Sequence, residues 1–184
     1  MKVLAISGSL RRDSYNTKLL RAAEELLPPQ VDFVLYQGVK EVPPYDEEDD
    51  VQPAPMAVAA LRSAIGEADA ILIATPEYNS SIPGALKNAL DWASRPLATN
   101  AFRNKPVAVI GSSAGAFGGV WAAAELRKVL GAMGARVTEV EMAVGHAHDK
   151  RDESGELSDD EIRGGLREAL DTLLAEAAPA LAAA

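Results

Sequence analysis

The feature that most constrains this chain is a series of short, almost wholly apolar runs, separated by stretches with helical spacing. Val3–Ser7, Val31–Tyr36, Ala70–Thr75 and Val107–Gly111 are too short for buried helices and too continuous for half-exposed strands. They read as strands buried on both faces, and Arg136–Val140 adds a shorter fifth. Between them, Tyr15–Leu27 places Leu19, Leu20, Ala23, Leu26 and Leu27 on one helical face and is stopped by Pro28-Pro29. Met56–Ile65, Pro83–Trp92 and Trp121–Gly131 are the next helices. Asp159–Ala177 is the last, opened by Ser158 with Glu161 three positions on, a capping-box pattern. Val42–Pro55, rich in proline and acid, is expected to be a loop, and the tail Ala175–Ala184 is expected to fray.

Buried strands alternating with helices imply a parallel sheet covered on both faces. Five strands in 184 residues give an α/β domain with a doubly wound, flavodoxin-like sheet of order 2-1-3-4-5, expected to span 1–184 as a single unit. Ligands in such sheets sit at the carboxyl ends of the strands, beside the point where strand order reverses. The loops after strands one, three and four are therefore the places to look.

Composition narrows the function classes. Lys+Arg 18 against Asp+Glu 27 gives a formal charge of −9, which disfavours nucleic acid and anionic membrane as partners. The absence of cysteine excludes disulfides, thiol catalysis and Cys-ligated metal, and suits a cytoplasmic location. Val3–Ile6 is too short for a signal-peptide core. The uncharged run Pro106–Ala124 approaches the roughly 20 residues of a membrane helix, but Gly111-Ser112-Ser113-Ala114-Gly115 punctuates it. It reads as strand, loop and helix, so no membrane association is expected.

The loop after the first strand is Gly8-Ser9-Leu10-Arg11-Arg12-Asp13-Ser14-Tyr15-Asn16, and it opens a helix. A helix N-terminus favours phosphate through its free N–H groups and partial positive charge. Ser9, Ser14 and Asn16 offer hydrogen bonds, and Arg11 offers a forked charge. The pattern is neither Walker A nor G-x-G-x-x-G. From residue types alone two readings stay open: a phosphate loop, or a polar loop in which Ser14 or Asn16 merely caps the helix.

The G-S-L-R-x-x-S-x-N pattern resembles the phosphate loop of the NADPH-dependent FMN reductase family. Pro76-Glu77-Tyr78-Asn79 with Ile82–Trp92 is similar to that family's second signature, and Gly111–Gly119 to its third. The resemblance implies a flavodoxin-like flavoenzyme with FMN as cofactor and NADPH or NADH as electron donor. Ser9, Arg11, Ser14 and Asn16 would hold the FMN phosphate, with Tyr15 a neighbour through its backbone. Pro76, Glu77, Tyr78 and Asn79 would lie along the isoalloxazine ring, and Ser112, Ser113 and Gly115 would close the other side. No side chain need act covalently, since the flavin N5 takes the hydride and passes electrons on in a ping-pong cycle. The acceptor would be a small molecule such as a quinone, an azo compound or free flavin. The family also implies a homodimer or homotetramer, with sites completed near the subunit contact. A flavodoxin-type electron carrier without NAD(P)H activity is the alternative, but its phosphate loop resembles T-x-T-G-x-T and lacks the arginine. A third reading, a module that has lost its flavin, sits poorly with the intact polar loop.

Other signals have plainer readings. Trp92 and Trp121 are read as packing residues. His146 and His148 read as a polar loop rather than a metal pair. Asp46-Glu47-Glu48-Asp49-Asp50 lacks the spaced ligands of a calcium loop and reads as a solvated charge run. The stripe Ile82, Ala85, Leu86, Ala89, Leu90, Ala93 suits either a core face or a subunit contact.

Overall fold

The structure, a computed structural model, describes residues 1–150 and 159–182. The apolar runs form β1 (Lys2–Ser7), β2 (Asp32–Tyr36), β3 (Ala70–Thr75) and β4 (Pro106–Ser112), hydrogen-bonded in parallel in the order β2-β1-β3-β4. The helices are α1 (Tyr15–Leu26), α2 (Met56–Glu67), α3 (Gly84–Ala93), α4 (Val120–Ala132) and α5 (Asp160–Ala182). The expected order is observed, and it reverses between β1 and β3.

Alternate side chains of each strand go to opposite faces, and this splits the core in two. Leu4, Ile6, Ile71, Ile73, Val107 and Val109 pack with Val58, Leu61, Leu86, Leu90 and Leu126 of α2, α3 and α4. Val3, Ala5, Leu72, Ala74 and Ile110 pack with Leu19, Leu20, Leu166, Leu170 and Leu173 of α1 and α5. Ile82, Leu86, Ala89, Leu90 and Ala93 are all buried, with Ala85 partly so, so that stripe is a core face within the chain.

The edge beyond β4 departs from expectation. Arg136–Val140 is not one strand. β5 is only Arg136–Val137 and pairs with Pro106 and Val107, while β6 (Met142–Val144) pairs with Ile110, Gly111 and Ser112. The chain leaves the sheet between them, and the Arg127 guanidinium donates to the freed carbonyls of Thr138 and Val140. Carbonyls taken out of a ladder need such partners.

One 3-10 turn, Gly38–Glu41, precedes the proline-rich loop, and a second, Glu47–Asp49, lies within it. The loop is anchored where Pro43 accepts from Asn88 and from the Trp92 indole N–H, each at 2.8 Å. Trp92 is fully buried, as a packing residue should be, but Trp121 is 50% exposed and is not one. Ser158, the expected cap of α5, lies outside the described residues. The Asp159 carboxylate accepts from the N–H groups of Glu161 and Ile162. The helix continues to Ala182, past the expected end at Ala177.

Candidate functional site

The three expected loops meet at the carboxyl ends of β1, β3 and β4 around a cavity of about 490 Å³. Its walls contain Ser9, Arg11, Ser14, Tyr15, Asn16, Pro76, Glu77, Tyr78, Ser112, Ser113 and Gly115, every expected site residue except Asn79, with Ala114 added. Gly8 lets the first loop lie against the second: a Cβ there would meet Leu86 Cδ2 at 2.9 Å and Pro76 Cδ at 3.3 Å.

The first loop is held by short-range polar contacts. The Ser7 hydroxyl accepts from the Ser9 N–H and the Thr17 hydroxyl, at 3.3 and 3.0 Å. Ser14 caps α1 by accepting from the Thr17 N–H at 3.3 Å. A hydroxyl that accepts still has its own proton to donate, so capping and anion binding are compatible at Ser14. The Arg11 guanidinium lies 5.0 Å from the Tyr15 ring centroid, a cation–π contact that orients it at the cavity wall.

Asn16 is used differently from the simple donor that its residue type suggested. Its carboxamide donates to the Ser112 carbonyl at 2.8 Å and accepts from the Ser112 N–H at 3.0 Å. The β3–β4 ladder ends at Thr75 and Gly111. The Asn16 side chain thus stands in for a missing neighbouring strand. Glu77 is also committed elsewhere. Its carboxylate accepts from the N–H groups of Trp121 and Ala122, at 3.1 and 3.3 Å, and so caps α4. A negative charge at a helix N-terminus is favourable. That role left no local signal, because cap and helix are far apart in sequence.

Tyr78 and Ser81 exchange backbone hydrogen bonds at 3.0 and 3.1 Å around Asn79 and Ser80, both at positive φ. Asn tolerates that region better than most residues. Asn79 therefore stands exposed at the tip of a tight turn, outside the cavity walls.

The third loop is clasped by the segment at and after β6, which holds His146 and His148. Ser113 donates to Val144, His146 to Gly115 and Ala147 to Ser113, each N–H···O at 3.0 Å. Gly118, at φ +63°, lies so close that a Cβ would meet Ala143 and Val144 backbone at 2.6 Å. The histidine segment thus has a structural task, and among the described residues no metal-ligand cluster forms there or in the acidic run.

One of the wall residues, Ser112, has an unpartnered polar atom. Ser112 Oγ is buried without a hydrogen-bond partner. A buried hydroxyl is costly unless something pairs with it, which fits a polar ligand rather than an apolar one. With the α1 N-terminus, Arg11, Ser9 and Ser14 among its walls beside the second and third loops, the donor set suits a phosphate joined to a polar ring.

A strand-end cleft at the switch point of a 2-1-3-4-5 sheet places the chain in the flavodoxin-like class. The fold matches FerB, a flavoenzyme NAD(P)H:(acceptor) oxidoreductase from Paracoccus denitrificans, with a TM-score of 0.84 and 33% identity over 95% of this chain and 98% of that one. Residues 1–149 match the family described as NADPH-dependent FMN reductase. An NAD(P)H-dependent FMN reductase of Pseudomonas aeruginosa is 41% identical over 174 residues, 94% of this chain and 93% of the relative. A 2-hydroxy-1,4-benzoquinone reductase from a Burkholderia species is 37% identical over 93% of each. The chain belongs to the NADPH-dependent FMN reductase family. It is an oxidoreductase of the flavin-dependent kind, with FMN as cofactor and NAD(P)H as donor.

Proposed function

We propose that the strand-end cavity holds FMN and that the enzyme passes electrons from NAD(P)H to a small acceptor of the quinone, azo or free-flavin type. The observation that carries the placement is the convergence of the three loops on one cavity, with Ser112, whose hydroxyl is buried without a partner, among its wall residues. Ser9, Arg11, Ser14 and the opening N–H groups of α1, including those of Tyr15 and Asn16, hold the phosphate. Pro76, Glu77 and Tyr78 flank the ring through backbone and ring faces, with Asn79 at the rim. Ser112, Ser113 and Gly115 close the opposite side.

FMN, when bound, supplies the hydride-accepting chemistry that no side chain of the protein provides. The protein's part is to bind, orient and limit water. A dianionic phosphate is met by a full charge at Arg11 and by the dipole of α1. Ser112 stands at a rigid strand end, held from one side by Asn16 and from the other by β6. Donor and acceptor entering one open cleft in turn gives ping-pong kinetics.

A single domain over 1–184 is part of the proposal, supported by the packing of α5 on the same sheet as α1. A homodimer or homotetramer is part of the proposal. Phe117 and Trp121, edge-to-face with centroids 5.0 Å apart, are both largely exposed. Exposed aromatics in contact suit a subunit interface. A cytoplasmic location is supported by the cysteine-free composition alone.

Titration of flavin-free protein with FMN and riboflavin tests the placement. Arg11→Ala is expected to weaken FMN by about 1.5–3 kcal/mol, the worth of a hydrogen bond to a charged group, and riboflavin hardly at all. Equal losses for both flavins remove Arg11 from the phosphate site.

A further inference from the structure

Across the first loop from the strand-end cleft lies a second cavity, of about 320 Å³. Ser9 and Arg11 belong to both, so the loop is a shared wall. The second cavity is bounded by Arg11 and Arg12 of the loop, Arg21 of α1, and Lys40 from the turn after β2. Its apolar lining comes from Leu10, Leu35 and Val39. Glu41 is the one carboxylate among the residues that line it.

This is a local reversal of sign in a chain whose net charge is −9. Cations crowded around one hollow repel one another, and nearby carboxylates usually relieve that. At several other positions they do: Lys2, Lys18, Arg62, Lys87 and Arg136 each pair with an acid at 3.0 Å or less. Arg21 has Glu24 at 2.7 Å. Arg12 and Lys40 have no ion pair with any described residue. They approach the hollow from two different elements, the first loop and the turn after β2. Two unpaired cations lining one hollow that also has apolar walls form a place for a phosphate attached to a flat organic body.

We propose that this groove is a second anion site, and that it takes the phosphorylated adenosine end of the nicotinamide donor. Arg12 and Lys40 hold the 2′-phosphate, Arg21 adds charge at the margin, and the surface of Leu10, Leu35 and Val39 carries the ribose and base. The proposal rests on the placement of FMN in the adjoining cleft, because a donor anchored here must reach across Ser9 and Arg11 to deliver its nicotinamide. It makes Arg12 and Lys40 the residues that favour NADPH over NADH. The adenylate half of FAD is the competing occupant, since the groove begins where the FMN phosphate is placed.

The test is calorimetric titration of the protein, with and without FMN, using 2′,5′-ADP, 5′-AMP and FAD. The Arg12→Ala/Lys40→Ala double variant and Lys40→Arg are measured alongside. Arg12 and Lys40 are exposed, so neither change removes a packed side chain. 2′,5′-ADP is expected to bind more tightly than 5′-AMP, with or without FMN. It should lose about tenfold or more in the double variant, the effect of deleting a charge-assisted contact, and retain most of its affinity in Lys40→Arg. The ratio of kcat/KM for NADPH to that for NADH should fall by a similar factor, while bound FMN, read from its visible absorbance, stays constant. Unchanged 2′,5′-ADP affinity in the double variant, or an unmoved NADPH:NADH ratio, overturns the proposal. Loss of FAD affinity with 2′,5′-ADP unaffected assigns the groove to a flavin adenylate and overturns it too. Tight 2′,5′-ADP binding by a protein that binds no FMN would sink the cleft assignment and leave the groove standing.

Discussion

Asn16→Ala should destabilise the protein far beyond what one polar side chain near a binding site normally contributes. The Asn16 carboxamide is buried, 2% exposed, and makes both of its hydrogen bonds to the backbone of Ser112. Alanine leaves the Ser112 N–H and carbonyl unpaired at a point that β3 no longer covers. A buried group stripped of its partner costs about 1–3 kcal/mol, so two groups with partial relief by entering water come to about 3 kcal/mol. For a chain of this size that lowers the midpoint of thermal unfolding by roughly 6–12 °C. The assay is urea denaturation of flavin-free protein, repeated at fixed FMN because bound ligand adds its own stabilisation. Asn16→Asp should also be destabilising: a carboxylate still accepts from the Ser112 N–H but faces the carbonyl with no proton to give. FMN affinity should fall as well, since Asn16 holds the first and third loops together. A loss within about 0.5 kcal/mol, the range of an ordinary surface substitution, would refute the argument that Asn16 replaces a strand neighbour.

Further outcomes follow from the same geometry. Glu77→Ala should cost about 1–2 kcal/mol by uncapping α4, whereas Glu77→Gln should retain much of that because an amide oxygen still accepts; denaturation midpoints separate the two. Ser112→Ala removes an unpartnered buried hydroxyl, so flavin-free stability should hold or rise slightly while FMN binds more weakly, and FMN affinity unchanged in this variant would take Ser112 Oγ out of the cofactor site. Gly118→Ala should lose more than about 2 kcal/mol in urea, because φ is +63° and the new Cβ would stand 2.6 Å from the backbone of Ala143 and Val144.

Much of the molecule was legible before any fold was in view. The apolar runs became β1 to β4 within a residue or so, since strands buried on both faces must be apolar throughout. The strand-end loops were legible for the same reason, as the polar and glycine-rich segments that interrupt those runs. The division of Arg136–Val140 was not. A strand of two residues and another of three carry too little pattern to mark, and their separation depends on Arg127 reaching two carbonyls from a neighbouring helix.

Within the site the boundary falls between residue type and partner. Residue type and order determined that Ser9, Arg11, Ser14, Glu77 and Ser112 would stand on loops at one end of the sheet, because periodicity reports which face of an element is buried and where the element stops. Only the tertiary structure decided what each side chain touches. Asn16 meets Ser112 across 96 positions and Glu77 meets Trp121 across 44. Arg12 and Lys40 come to one groove only because β1 and β2 are neighbours in the sheet. Local pattern is set by burial, which each segment expresses in its own composition. Pairing over such distances is set by how the helices dock on the sheet, and no single segment records it.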